Sequence, residues 1–144
     1  MKRILSISVD AFPIAGSFVI SRGAKTEAVV VTATLRAGDI AGCGECVPYA
    51  RYGETVDSVV AAIQGARAAI EAGVDRVELQ CLLPAGAARN ALDCALWDLE
   101  AKLTGVPAYA IAGFDRLTPL TTAYTLSVGA PNEINEVAFG DDPD

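Results

Sequence analysis

The sequence has no basic cluster, no histidine and no long apolar run, and each absence removes a class of function. At a formal net charge of −7, with no patch of Lys and Arg to meet phosphates, it reads as a protein with no nucleic-acid partner. No stretch approaches the roughly 18 apolar residues of a membrane span. The opening Met1-Lys2-Arg3-Ile4-Leu5-Ser6-Ile7 carries two bases, yet it alternates apolar with polar and reaches Asp10 before a signal core could form. A cytoplasmic protein with no membrane partner is the simplest reading. Without histidine, a zinc or redox centre would rest on Cys43, Cys46, Cys81 and Cys94. Cys43-Gly44-Glu45-Cys46 is formally a C-x-x-C, but a structural zinc site wants a second close pair, and Cys81 and Cys94 lie thirteen positions apart. A thioredoxin-like pair would open a helix, whereas this one ends a β-like run. Reduced, partly buried thiols are expected. Internal repeats and low-complexity linkers are also missing.

What is present is globular. Hydrophobic residues make up 52% and charged residues 20%, which excludes a disordered chain. The 144 residues can hold one domain, or a smaller domain and the start of another, but not a full eight-stranded α/β barrel of about 250 residues. The acidity is concentrated at the end, where Glu133, Glu136, Asp141, Asp142 and Asp144 stand without a base from Asn132 onward.

Residues 4–14 and 26–35 alternate with β-branched side chains and read as strands. Ala37-Gly38-Asp39 is turn chemistry, and residues 40–47 read as a third strand, giving an antiparallel three-stranded meander. Thr55 can cap a helix whose apolar positions Val56, Val59, Val60, Ile63, Ala66 and Ile70 recur at three and four residues, with Gly73 to end it. Asp75 can cap a short helix to Leu82, closed by Pro84. Residues 85–103 predict a second long helix with Ala88, Ala91, Leu92, Ala95, Leu96 and Leu99 on one face, before Gly105 and Pro107. A short apolar segment, residues 108–112, leads to residues 117–128, which read as one more strand and as the start of a second domain.

Three segments carry a resemblance. Gly42-Cys43-Gly44-Glu45 is similar to the G-x-G-E that closes the corresponding strand in mandelate-racemase-like and muconate-lactonizing proteins of the enolase superfamily. The run from Ala91-Leu92-Asp93-Cys94-Ala95-Leu96-Trp97-Asp98-Leu99-Glu100-Ala101-Lys102 to Gly105-Val106-Pro107 resembles the last helix of their capping domain. Ser21-Arg22-Gly23-Ala24-Lys25-Thr26-Glu27-Ala28 and Glu45-Cys46-Val47-Pro48-Tyr49-Ala50-Arg51-Tyr52-Gly53-Glu54-Thr55 resemble the two capping-domain loops of the L-Ala-D/L-Glu dipeptide epimerases. Thr121-Thr122-Ala123-Tyr124-Thr125 fits the first barrel strand of such enzymes.

The resemblance implies an α+β fold: a capping domain over residues 1–113, a first strand region of a truncated α/β barrel over 114–131, and an acidic tail over 132–144. It implies an isomerase of full length that uses Mg²⁺ held by three barrel carboxylates. Two lysines on opposite faces of the substrate exchange the proton next to a carboxylate or amide carbonyl. The lysines here are Lys2, Lys25 and Lys102 only, so the expected Lys-x-Lys is absent, and the chain itself is expected to be inactive and to bind no Mg²⁺. Other superfamily reactions, such as muconate cycloisomerisation or o-succinylbenzoate formation, and a non-catalytic remnant or interaction module are the alternatives.

By the same resemblance, Arg22 and Lys25 on a loop, Arg51 and Tyr52 on a second loop, and Thr125 are the candidate substrate-binding residues for a dipeptide. The bland reading of the first four is solvated charge and surface. Glu45 reads as structural, Trp97 as core, and Asp93 and Asp98 as partners of arginines or as caps. Asp141 and Asp142 read as solvated. An unpaired barrel strand and an uncovered cap face predict self-association.

Overall fold

The structure is a computed structural model that describes residues 2–20 and 23–123. Three strands, β1 (Arg3–Ile20), β2 (Gly23–Ala37) and β3 (Ile40–Cys46), form one sheet in the order β1-β2-β3. The β2–β3 pair is antiparallel, with Val31 opposite Cys46 and Ala37 opposite Ile40, and Gly38 at φ 62 turns the chain between them. This is the expected meander, but β1 and β2 are longer than their alternation predicts. Lys25, expected on a loop, is an exposed residue of β2. β1 runs on to Phe18-Val19-Ile20, residues of strong β propensity that the alternation alone left out.

The helices begin and end where local chemistry dictates. Helix α1 (Val56–Ala72) opens on a reciprocal box in which Thr55 Oγ1 accepts from Ser58 N and Ser58 Oγ accepts from Thr55 N, and it closes on Gly73 at φ 116. Asp75 accepts from Val77 N and Glu78 N at the start of α2 (Arg76–Leu82). Helix α3 (Ala87–Thr104) closes on Gly105 at φ 70, and residues 108–111 form a single helical turn, α4 (Ala108–Ile111), where only an apolar segment was expected.

One compact unit contains Met1–Phe12 and Val29–Leu117. Its core is the inner face of the sheet, Leu5, Val31, Ala33, Leu35, Ala37 and Cys46, packed on Val59, Ile63, Ala66 and Ile70 of α1, Leu79 of α2, and Ala91, Leu92, Ala95, Leu96 and Leu99 of α3. Gly42 and Gly44 let α3 lie directly on β3. A Cβ on Gly44 would sit 2.0 Å from Ala91 O, and one on Gly42 would sit 2.4 Å from Ala95 O.

Both outer edges of the sheet are met by helix side chains. On β1, Leu5 N donates to Glu71 Oε1 at 3.0 Å and Leu5 O accepts from Arg67 of the same helix. On β3, Cys43 N donates to Asp98 Oδ2 at 2.8 Å, Ala41 O accepts from Lys102 Nζ at 2.9 Å, and Glu45 O accepts from Asn90 Nδ2 at 3.2 Å. Strand groups that would otherwise invite another strand are thus occupied.

A second unit contains Pro13–Ala28 and Thr118–Asp144. Of the strand expected over residues 117–128, residues 124–128 lie outside the described residues, and 117–123 carry no strand. Leu117 and Leu120 are 74% and 85% exposed, and β propensity without a pairing partner and a buried face does not hold a strand.

Several side-chain expectations need correction. Trp97 is only half-buried and lies under the Arg76 guanidinium, 3.5 Å from its carbon to the ring centre. Asp98 pairs with Lys102 at 2.6 Å, not with an arginine, and Asp93 accepts from Gln80 Nε2. Arg76 of α2 takes Glu100 of α3 at 2.7 Å. The Asp98–Lys102 pair follows the four-residue spacing of α3 itself, whereas the partners of Asp93 and Glu100 are set by the approach of α2 and could not be read along one helix.

Candidate functional site

The site grows from the end of β3. After Cys46 the chain makes a tight turn, with a 3-10 turn at Ala50–Tyr52 and Gly53 in the left-handed region at φ 74. Tyr52 N donates to Tyr49 O at 2.9 Å and Gly53 N to Ala50 O at 3.0 Å, so the backbone bonds of the turn close on themselves. The Tyr49 and Tyr52 rings meet at 5.7 Å between centres, tilted by 41°. Tyr52 is 76% exposed, and Arg51 beside it is also exposed. Arg51 and Tyr52 are therefore brought together on one projecting turn.

This turn borders a concavity of about 590 Å³ lined by Cys46, Val47, Tyr49, Tyr52, Glu54 and Asn90, among others, with the start of α3 as its floor. Burial first, then the charge of Glu54, pushes the Cys46 thiol up to about 11, so it stands protonated and is no nucleophile. The arrangement offers phenols, a guanidinium nearby and an apolar wall.

Glu54 was missed by sequence reasoning. Its Oε1 accepts from Ala87 N at 2.7 Å and its Oε2 from Tyr49 N at 3.0 Å. The bond from Ala87, then that from Tyr49, holds its carboxyl below the usual glutamate range. A signal was available: Gly86 precedes α3 and has no side chain to cap it, so an acceptor had to come from elsewhere.

Lys25 lies in the second unit, exposed on β2. Arg22 and Thr125 lie outside the described residues. Glu45 is exposed on β3, and its carbonyl serves the contact with α3. Cys43, Cys81 and Cys94 are exposed free thiols and only Cys46 is buried, a correction to the partly buried set expected. Among the described residues no group of three or more Cys, Asp or Glu could hold a metal ion, and no helix is long and apolar enough to cross a membrane.

The sequence profile of the mandelate racemase / muconate lactonizing enzyme N-terminal domain matches residues 3–113. The chain belongs to this family. Within the mandelate racemase / muconate lactonizing enzyme family, it is 44% identical over 132 residues to the L-Ala-D/L-Glu epimerase of Escherichia coli (strain K12), across 92% of this chain and 41% of the relative. It is 39% identical over 100 residues to the N-acetyl-D-glutamate racemase of Pseudoalteromonas sp, across 68% of this chain and 31% of that protein. Among solved structures it is similar to an enolase family member from Agrobacterium tumefaciens with homology to dipeptide epimerases, bearing sodium, L-Ala-L-Glu and an ordered loop. That match has 48% identity and a TM-score of 0.87 over 94% of this chain and 41% of the other. The sheet followed by helices is thus the enolase-type N-terminal capping domain, and the chain spans well under half the length of these relatives.

Proposed function

We propose that this chain is the N-terminal part of a Mg²⁺-dependent dipeptide epimerase, which moves a proton at the α carbon of dipeptides such as L-Ala-L-Glu. The observation that carries the reading is the 0.87 TM-score, at 48% identity, to a structure holding L-Ala-L-Glu. The part of this chain is recognition. In this reading Arg51 and Tyr52 on the turn, with Arg22, Lys25 and Thr125, contact the substrate, the cations meeting its carboxylates. The described residues do not fit Mg²⁺, and no step of the chemistry is assigned to it through them.

The racemase relative favours a second substrate. L-Ala-L-Glu and N-acetyl-D-glutamate share a glutamate whose amine is acylated, so a cap that holds the glutamate carboxylates could serve both.

We further propose a cap over residues 1–113, a barrel-strand region over 114–131 and an acidic tail over 132–144. The end of the family match at residue 113 supports the first boundary. A cytoplasmic location and self-association belong to the same reading.

The test is a chimera in which residues 1–113 replace the cap of the Escherichia coli epimerase. In D₂O with Mg²⁺, the chimera should exchange the α proton of L-Ala-L-Glu faster than that of N-acetyl-D-glutamate, while the 144-residue chain alone should exchange neither. A folded chimera silent on L-Ala-L-Glu overturns the epimerase reading. A preference for N-acetyl-D-glutamate installs the second one.

A further inference from the structure

We propose that Glu54 is a positioning residue: its carboxylate latches the projecting turn onto the first turn of α3 and so fixes the direction in which Arg51 and Tyr52 face. The latch is a statement about this chain, and its purpose rests on the substrate-binding reading of those two residues.

Three observations carry it. The two carboxylate oxygens divide their work, one taking Tyr49 N at the entrance of the turn and the other Ala87 N at the start of α3. The backbone bonds of the turn, Tyr52 N to Tyr49 O and Gly53 N to Ala50 O, are internal, so they shape the turn without orienting it on the domain. The contact is also close-fitting, because a Cβ on Gly86 would stand 2.8 Å from Glu54 Oε1. Glycine there leaves α3 uncapped by its own side chain and leaves room for the carboxylate. A negative group at this position also complements the positive end of an 18-residue helix.

The titratable groups facing the same concavity are Cys46 from β3 and Tyr49 and Tyr52 from the turn, with Arg51 adjacent; from α3 it is met by Ala87 and Asn90, which carry no charge. The Cys46 thiol is pushed up to about 11 and stays protonated as pH falls, whereas the carboxyl of Glu54 loses its charge. Its folded value is depressed, so the charged latch persists below the ordinary glutamate range and is lost only as pH drops through that lower value.

A plain helix cap would hold α3 and leave the turn to itself, which separates the two roles. In amide spectra of the full chain, the Tyr49 and Ala87 resonances should shift together with a single midpoint below the ordinary glutamate value of about 4.3. Glu54→Gln should abolish the shared titration and quicken tryptic cleavage after Arg51 on the order of tenfold at neutral pH. Glu54→Asp, which keeps the charge on a shorter arm, should restore part of the protection. Separate midpoints for the two amides, or a Glu54→Gln chain cut after Arg51 no faster than the parent, would overturn the latch. If Glu54→Gln fails to fold, the parent titration and Glu54→Asp decide alone. None of these readouts needs turnover, so an inactive chimera leaves the latch standing and a failed latch leaves the epimerase reading standing.

Discussion

Asp98 on α3 accepts the backbone N–H of Cys43 on β3 at 2.8 Å, which joins the two sequence segments that most resemble the family. The same carboxylate holds Lys102 at 2.6 Å, and Lys102 in turn reaches Ala41 O. The helix thus grips the strand on both sides of Gly42, one of the two glycines that let the backbones approach.

Removing that grip should be measurable. Asp98→Ala leaves Cys43 N–H without its acceptor and Lys102 without its anion, and should cost about 1 kcal/mol in urea unfolding. Asp98→Asn keeps an acceptor and should cost less. Equal midpoints for Asp98→Ala and the parent would contradict the contact.

Acid should destabilise the chain through four carboxyls. Glu54 and Glu71 are held low first by the N–H groups of Ala87 and Leu5, and Glu100 first by Arg76. For Asp98, burial pulls upward, but Lys102 and Cys43 N–H outweigh it and the net direction is down. Because these groups protonate at lower pH in the folded chain than in the unfolded one, the stability they confer is present above about pH 4 and is lost as pH falls through their folded values. Thermal midpoints taken from pH 7 to pH 3 should hold and then drop, and Glu71→Gln with Asp98→Asn should shallow the drop. A midpoint that rises on acidification would reverse the sign.

Glycine substitutions should split by location. Gly44→Ala forces a Cβ onto Ala91 O and should destabilise by about 3 kcal/mol or more, with Gly42→Ala close behind. Gly65→Ala, in α1 with open space around it, should stabilise by about 0.5–1 kcal/mol. Denaturant midpoints of the three variants would settle the order, and a tolerated Gly44→Ala would disprove the close approach.

Thiol reactivity should follow exposure. Cys43, Cys81 and Cys94 should react with an aromatic disulfide reagent in the native chain, and Cys46 only on unfolding, because it is buried and its thiol is pushed up to about 11. Four rapid equivalents in the native state would refute the packing of β3.

Self-association, if it follows the exposed apolar side chains Leu117 and Leu120, should weaken in a Leu117→Ser, Leu120→Ser variant and strengthen with salt as acidic repulsion is screened. Sedimentation velocity at low and high salt would show it, and a monomer under every condition would refute it.

The sequence by itself determined the elements whose signals are local. Thr55, Gly73, Asp75 and Gly105 mark helix ends because a capping side chain or a left-handed glycine acts within one turn, and the three-and-four spacing of Ile63, Ala66 and Ile70 assigns a buried face without reference to any partner. The family was legible for the same reason, since its motifs are contiguous runs. Only the tertiary structure decided what depends on distant chain meeting: that Lys25 lies in a strand, that Arg76 covers Trp97, that Arg67 and Glu71 take Leu5 while Asp98 and Lys102 take the β3 edge, and that Glu54 reaches Ala87 across 33 positions. A polar side chain chooses its partner from whatever group the packing leaves unpaired nearby, and for Asp98 and Lys102 that choice is made by the approach of β3 to α3, which the glycines at 42 and 44 permit.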